Sequence, residues 1–376
     1  MISFARSDKN ALSEWWWTVD RLMLAAVFAL ILSGIVFVLA ASPAIARRND
    51  FESFHFVWRQ LSFLAPSVAL MLFASLLTPK EVRRVAVGVF CASFILMIAV
   101  LFVGTEIKGA HRWLSLGPMS LQPSEFAKPA FLVVSAWLLA RAAGGRSVSL
   151  IAAITLLGGV CGVLMLQPDF GQTMLICVTW AAMFFMAGMS MWWIAVFGMA
   201  GIGLAFGAYT MLPHVSARVD RFLAPDQSGT DQVAVALKAV SAGGFFGVGP
   251  GEGLMKHRVP DAHTDFIFSV IAEEFGAVTC LLIAGLFAFI IMRGLTRAQE
   301  VRDPFVQLAI AGLSLLIGLQ AMINMAVNLS LLPAKGMTLP FVSYGGSSLL
   351  ATCFTMGLLL ALLRRRPQAA ERWRWV

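Results

Sequence analysis

The stretch 259–276 reads VPDAHTDFIFSVIAEEFG and runs into an apolar segment that continues to Met292. It places Asp261, Asp265, Glu273 and Glu274 at or inside the mouth of a membrane helix, with His263 beside them. Carboxylates are costly in hydrocarbon, so acids at such a position point to a functional site by default. A helix that begins near His263 sets Glu273 about 12 Å deeper than Asp265, at ~1.5 Å per residue. A partly buried carboxylate here suits general-base chemistry. The plainer reading is that Thr264 or Asp265 only caps the helix. The histidine and the paired glutamates exceed what a cap needs.

Other constellations lie elsewhere in the chain. GAHRWLSLGPMSLQPSEFAKPA gathers Arg112, Gln122, Ser124, Glu125 and Lys128. Ser124 follows a proline, as a helix cap does, and Lys128 lies four residues on, on the same face. Lys128 is shallow enough to snorkel to the interface, which is the structural alternative to a functional role. In QPDFGQ, Asp169 and Gln172 fit a capping box. An interior ion pair between Lys128 and Asp169 would account for both charges at membrane depth. The run AGGFFGVGPGEG (242–253) matches neither a dinucleotide fingerprint nor a Walker loop, and reads as a flexible or re-entrant loop lining a cavity. Lys256, His257 and Arg258 follow it and could meet an anion, although solvated loop charges are the simpler reading of each. Asn324 and Asn328 share a helix face and read as helix–helix glue. None of the five cysteines forms a CxxC pair, so neither a metal site nor a disulfide framework is indicated.

The elements that must hold these residues are membrane helices. The chain is 59% hydrophobic and 13% charged, with mean hydropathy +0.82, whereas soluble domains carry about 25% charged residues. Spanning runs fall at 20–42, 56–77, 84–104, 124–140, 148–166, 170–188, 190–211, 266–292, 306–332 and 340–363. The first run is far longer than a signal-peptide core. The net charge of +8 collects beyond alternate runs, a positive-inside pattern and not a nucleic-acid stripe. The expectation is therefore an all-α polytopic membrane protein of ten transmembrane helices. A cytoplasmic tail spans 1–19, the helical domain 20–363 and a basic cytoplasmic tail 364–376. The large loop 212–264, between helices seven and eight, faces outward with the loop 105–123.

Taken together, GAHRWLSLGPMSLQPSEFAK, QPDFGQ, HTDFIFSVIAEEFG and KGMTLPFVSYGGSS resemble the signature segments of the SEDS family (shape, elongation, division and sporulation), from about Arg47 to Arg365. The KGMTLP lead into the last helix looks more like the cell-division branch than the elongation branch. The resemblance implies a bacterial peptidoglycan glycosyltransferase. It would polymerise lipid II on the periplasmic face of the inner membrane, at the division septum, and release undecaprenyl pyrophosphate. It also implies a class B penicillin-binding protein as partner, along with other division-complex membrane proteins. Carried over residue by residue, Asp265 is the catalytic aspartate, and Lys128 and Asp169 line its cavity. Arg112, His263, Glu125 and Arg258 are further candidate substrate contacts. Fixed cations or a divalent ion (Mg or Mn) would stabilise the charge of a pyrophosphate leaving group, with no metal ligands assigned. The rival readings are a lipid II flippase, using Asp169, Lys128 and Glu273 as a polar path, and a non-catalytic division scaffold.

Overall fold

The computed structural model describes residues 11–365 except Asn49, 108–109, 117–118, most of 212–231, Pro260 and 334–335. Residues 1–10 and 366–376 of the two expected tails, and much of the first half of the 212–264 loop, lie outside the described residues.

A short helix, α1 (Ala11–Thr18), carries the tryptophan cluster and docks through Trp15, whose indole N–H donates to Ser75 Oγ at 2.8 Å. Apolar helices then follow as α2 (Arg21–Arg48), α3 (His55–Leu76), α4 (Pro79–Val103), α5 (Pro123–Ala143), α6 (Ser147–Leu166), α7 (Phe170–Met186) and α8 (Met191–Met211). The amphipathic α9 (Gln232–Gly243) precedes α10 (Ile267–Glu300), α11 (Pro304–Asn328) and α12 (Gly346–Leu363). Each apolar run read from the sequence overlaps one of these helices, and among the described residues eight are long and apolar enough to cross a membrane.

The helix starts follow from local chemistry. At α4, Thr78 and Glu81 close a capping box ahead of Pro79; at α11, Asp303 accepts from Phe305 N–H beside Pro304. Burial then sorts the helices. The spanning windows of α5, α11 and α12 are 61%, 78% and 83% buried, against 22–28% for α3, α4, α6 and α10. Polar side chains on α5 and α11 therefore face protein, not lipid.

Two features depart from the sequence reading. The loop 105–123 is an antiparallel three-stranded meander, β1 (Thr105–Ile107), β2 (Ala110–Leu116) and β3 (Met119–Leu121). Its two outer strands, at three residues each, are too short to give an alternation signal. The second departure is that α10 is broken at Gly276, where φ is 81° and ψ 175°. That break lies about 14 Å along the helix from Ile267, where broken backbone must be satisfied from within the protein. The glycine-rich segment does this. Gly244 and Phe245 carbonyls accept from Ala277 and Val278 N–H, and Val248 and Gly249 N–H donate to the Glu273 and Glu274 carbonyls. A β-carbon on Gly243 or Gly247 would overlap the backbone of Ala272 or Glu274. The segment is a fitted plug in a helix break, not a flexible cavity lining.

Candidate active site

Three consecutive carbonyls of the His263-Thr264-Asp265 turn are held by the segment leading into α12 and by α11. His263 O accepts from Tyr344 N–H at 2.9 Å, and Thr264 O accepts from Ser343 Oγ at 2.6 Å. Asp265 O accepts from Asn324 Nδ2 at 2.8 Å and from Asn328 Nδ2 at 3.1 Å. Asn328 also receives Ser269 N–H, and Asn324 donates to Met337 O. The two asparagines are thus less helix glue than a fixture for the Asp265 backbone. The Asp265 side chain is half-buried and faces Gly336, whose β-carbon, if present, would lie 3.7 Å from Oδ2. The cap reading does not hold: Phe266 is the N-cap of α10 and no side chain caps it. His263 is buried in an aromatic cluster, 4.5 Å from the Phe56 ring and 5.1 Å from Tyr344.

A second network lies beneath the meander. Lys128, 1% exposed, does not snorkel. Its Nζ donates to both Glu125 carboxylate oxygens at 3.0 Å, to Gln172 Oε1 at 2.8 Å and to Gln320 Oε1 at 3.2 Å. The direct Lys128–Asp169 pair expected from the sequence does not form, because Glu125, one helical turn away, takes the ammonium. Asp169 instead caps α7 through Gln172 N–H and faces Arg112 Nη1 at 3.6 Å. Burial pushes the Asp169 carboxyl above its usual range, and the Arg112 guanidinium opposes that rise. Arg112 also donates to the Gln167 and Pro168 carbonyls, so β2 is pinned to the α6–α7 turn. Ser124, expected to cap α5, lies inside the helix with Gln122 at the cap position. A cavity of about 10 Å³ sits beside Lys128 and Glu125, room for about one water.

Gln320 joins the two networks. It accepts from Lys128 and donates to Thr338 O at 3.2 Å, one residue from the carbonyl that Asn324 holds. Gln320, Asn324 and Asn328 stand at i, i+4, i+8 on α11 and form one polar stripe. Gln320 escaped the sequence reading, although the four-residue spacing in LQAMINMAVN would have found it; Gln172, read as part of a capping box, instead turns its side chain to Lys128 and Glu125.

Glu273 and Glu274 do different work. Glu273 accepts from Met255 and Lys256 N–H at 2.7 and 3.1 Å; Glu274 accepts from Gly251 N–H at 2.8 Å and pairs with Lys256 Nζ at 2.5 Å. Lys256 is buried and also donates to Ala40 O of α2. These groups fasten the plug. Arg258 and His257, just beyond, are exposed. Among the described residues no three His, Cys, Asp or Glu side chains converge to hold a metal ion.

The fold and its site define a helical membrane protein with an ionisable polar network built into its most buried helices. The FTSW_RODA_SPOVE family model, described as "Cell cycle protein", matches residues 20–368, and the chain belongs to that family. It is 48% identical to the "Probable peptidoglycan glycosyltransferase FtsW" of Caulobacter vibrioides over 371 residues, covering 98% of this chain and 95% of that one. A relative of the same name from Trichlorobacter lovleyi is 36% identical over 353 residues, 91% of this chain and 92% of the relative. A solved chain from a peptidoglycan synthase complex that coordinates polymerization and crosslinking superposes with TM-score 0.78 at 29% identity, covering 93% of this chain and 98% of that chain. The Thermus thermophilus rod shape determining protein RodA superposes with TM-score 0.66 at 28% identity, covering 93% and 97%.

Proposed function

We propose that this chain is a peptidoglycan glycosyltransferase that polymerises lipid II during cell division. The observation that carries the reading is the clamp on residues 263–265, which fixes the Asp265 backbone while its side chain stays half-buried at the helix mouth. The relatives' names agree in reaction class.

The reaction is one inverting displacement. Asp265 takes the proton of the acceptor sugar's 4-hydroxyl. The acceptor oxygen then bonds to the donor's anomeric carbon as the carbon–oxygen bond to pyrophosphate breaks. Undecaprenyl pyrophosphate leaves with the electron pair. Lys128 and Arg112 have their donors engaged within the protein, so we assign both, with Glu125, Asp169 and His263, to positioning. Arg258, exposed beyond the plug, is the candidate contact for the pyrophosphate. A divalent cation (Mg or Mn) would help neutralise the charge that develops on that pyrophosphate.

The positive-inside bias sets both termini in the cytoplasm and the 263–265 turn on the periplasmic side, with ten helices crossing the inner membrane. The tails 1–19 and 364–376 then flank the membrane domain 20–363. A class B penicillin-binding protein fits as partner, as does assembly at the septum with other division proteins. The flippase reading loses its polar path, because Glu273, Glu274 and Lys128 are held in fixed internal contacts. The test is purified lipid II supplied to the reconstituted protein, with and without a transglycosylase-free class B partner. Glycan strands are expected; labelled lipid II crossing vesicles without strands would reinstate the flippase.

A further inference from the structure

The end of the bundle that carries the basic turns holds three kinds of arginine. Arg293 forms two 2.8 Å bonds to Asp20, and Arg297 approaches the same carboxylate at 3.7 Å. Arg364 bonds to Thr18 Oγ1 and Leu76 O and tethers α1 to the end of α12. Arg83 and Arg141 differ from both. Each sets its guanidinium 5.2 Å from the centre of one indole, Trp137, with Arg83 coming from α4 and Arg141 from the last turn of α5. Neither makes an ion pair with a carboxylate among the described residues.

The neighbouring sequence adds charge of the same sign. Lys80 and Arg84 flank Arg83, Arg146 follows Arg141, and all three are exposed. Glu81, the acid of that turn, is engaged in the Thr78 capping box. Two guanidiniums set against one ring have lost much of their side-chain freedom already, and neither makes a side-chain hydrogen bond or ion pair among the described residues. That is preorganisation for an anion with several oxygens. Below them the surface turns apolar, with Val148 and Ile151 of α6 and Val87 of α4 exposed where α4, α5 and α6 meet.

We propose that Arg83, Trp137 and Arg141 form a binding site for the phosphate headgroup of an anionic phospholipid in the cytoplasmic leaflet. The acyl chains lie along the α4–α6 surface. The site uses the orientation assigned from charge but not the catalytic assignment of Asp265. Basic pockets between helices at this level take phosphate headgroups, whereas a diffuse positive-inside field has no preferred residues.

The test uses the full chain in detergent and native mass spectrometry with phosphatidylglycerol or cardiolipin, against zwitterionic phosphatidylethanolamine. R83Q/R141Q should weaken anionic adducts about tenfold or more, through loss of charge-assisted contacts to the phosphate. R83K/R141K should lose part of that affinity while keeping the charge, and K80Q/R146Q, matched in charge removed, should lose far less. Melting temperature and lipid II polymerisation, read in the same variants, should stay at wild-type levels. An equal loss from K80Q/R146Q, or no loss from R83Q/R141Q, would overturn the site. Inorganic phosphate that displaced the lipid at millimolar concentration would mark a free-anion site and overturn the lipid assignment.

Discussion

A pair of carboxylates and a single one open the same helix region and have opposite fates. Glu273 and Glu274, the deeper pair, have their oxygens engaged by backbone N–H groups of 251–256 and by Lys256. Asp265, one step outward, is held by its carbonyl and keeps its side chain half-buried. Depth alone therefore does not mark a reactive acid. What separates the two is what the neighbouring segments grip: side-chain oxygens at Glu273 and Glu274, backbone carbonyls at residues 263–265. The deeper pair stabilises a helix break, and the outer acid is the one the proposed reaction uses.

The contrast can be broken from the structural side first. Lys256→Met strands Glu274 in a buried setting and should cost about 3–5 kcal/mol of stability. K256M/E274L should recover much of it, with the melting temperature as readout. Recovery of stability with polymerisation intact would sharpen the division; polymerisation lost in the stable double variant would move the deeper acids into the chemistry. Gly247→Ala, which places a β-carbon against the Glu274 carbonyl at a φ of +80°, should destabilise by about 2–3 kcal/mol. A neutral result there would mean that the plug is not seated in the break.

On the catalytic side, Asn324→Leu removes the shorter of the two amide bonds to the Asp265 carbonyl without replacing its carboxylate. Kcat should fall about a hundredfold, the usual scale for a misplaced catalytic group, with little change in KM. Rescue by Asn324→Gln would support positioning. The smallest effect is expected far from all three carboxylates: Trp15→Phe removes one bond to Ser75 and should cost about 1 kcal/mol, with no change in turnover per folded molecule.

Much of this was legible in the sequence because hydropathy and charge bias are additive over many residues. The apolar runs, and the acids and lysine that matter, follow from that sum. The partners did not. Glu125 stands one turn from Lys128, so that pairing was open to a local reading, but whether Lys128 also reaches Asp169 depends on how α5 packs against α7, which no local pattern encodes. The plug of 243–249 was equally hidden, since its glycines are explained only by Ala272, Glu274 and Gly276, some thirty residues on. The meander escaped because its outer strands are three residues each. Asn324 and Asn328 were visible as a pair, but their target, a backbone carbonyl, leaves no trace in composition.

The most direct test of the central claim sets Asp265→Asn against Glu273→Gln in reconstituted protein, bound to a transglycosylase-free class B partner and supplied with lipid II. Strand length and rate would be read beside the melting temperature. Asp265→Asn should lose about 10²–10⁴ in rate at an unchanged melting temperature. Glu273→Gln should lower the melting temperature while the folded fraction still polymerises. Wild-type strand synthesis by Asp265→Asn would contradict the account.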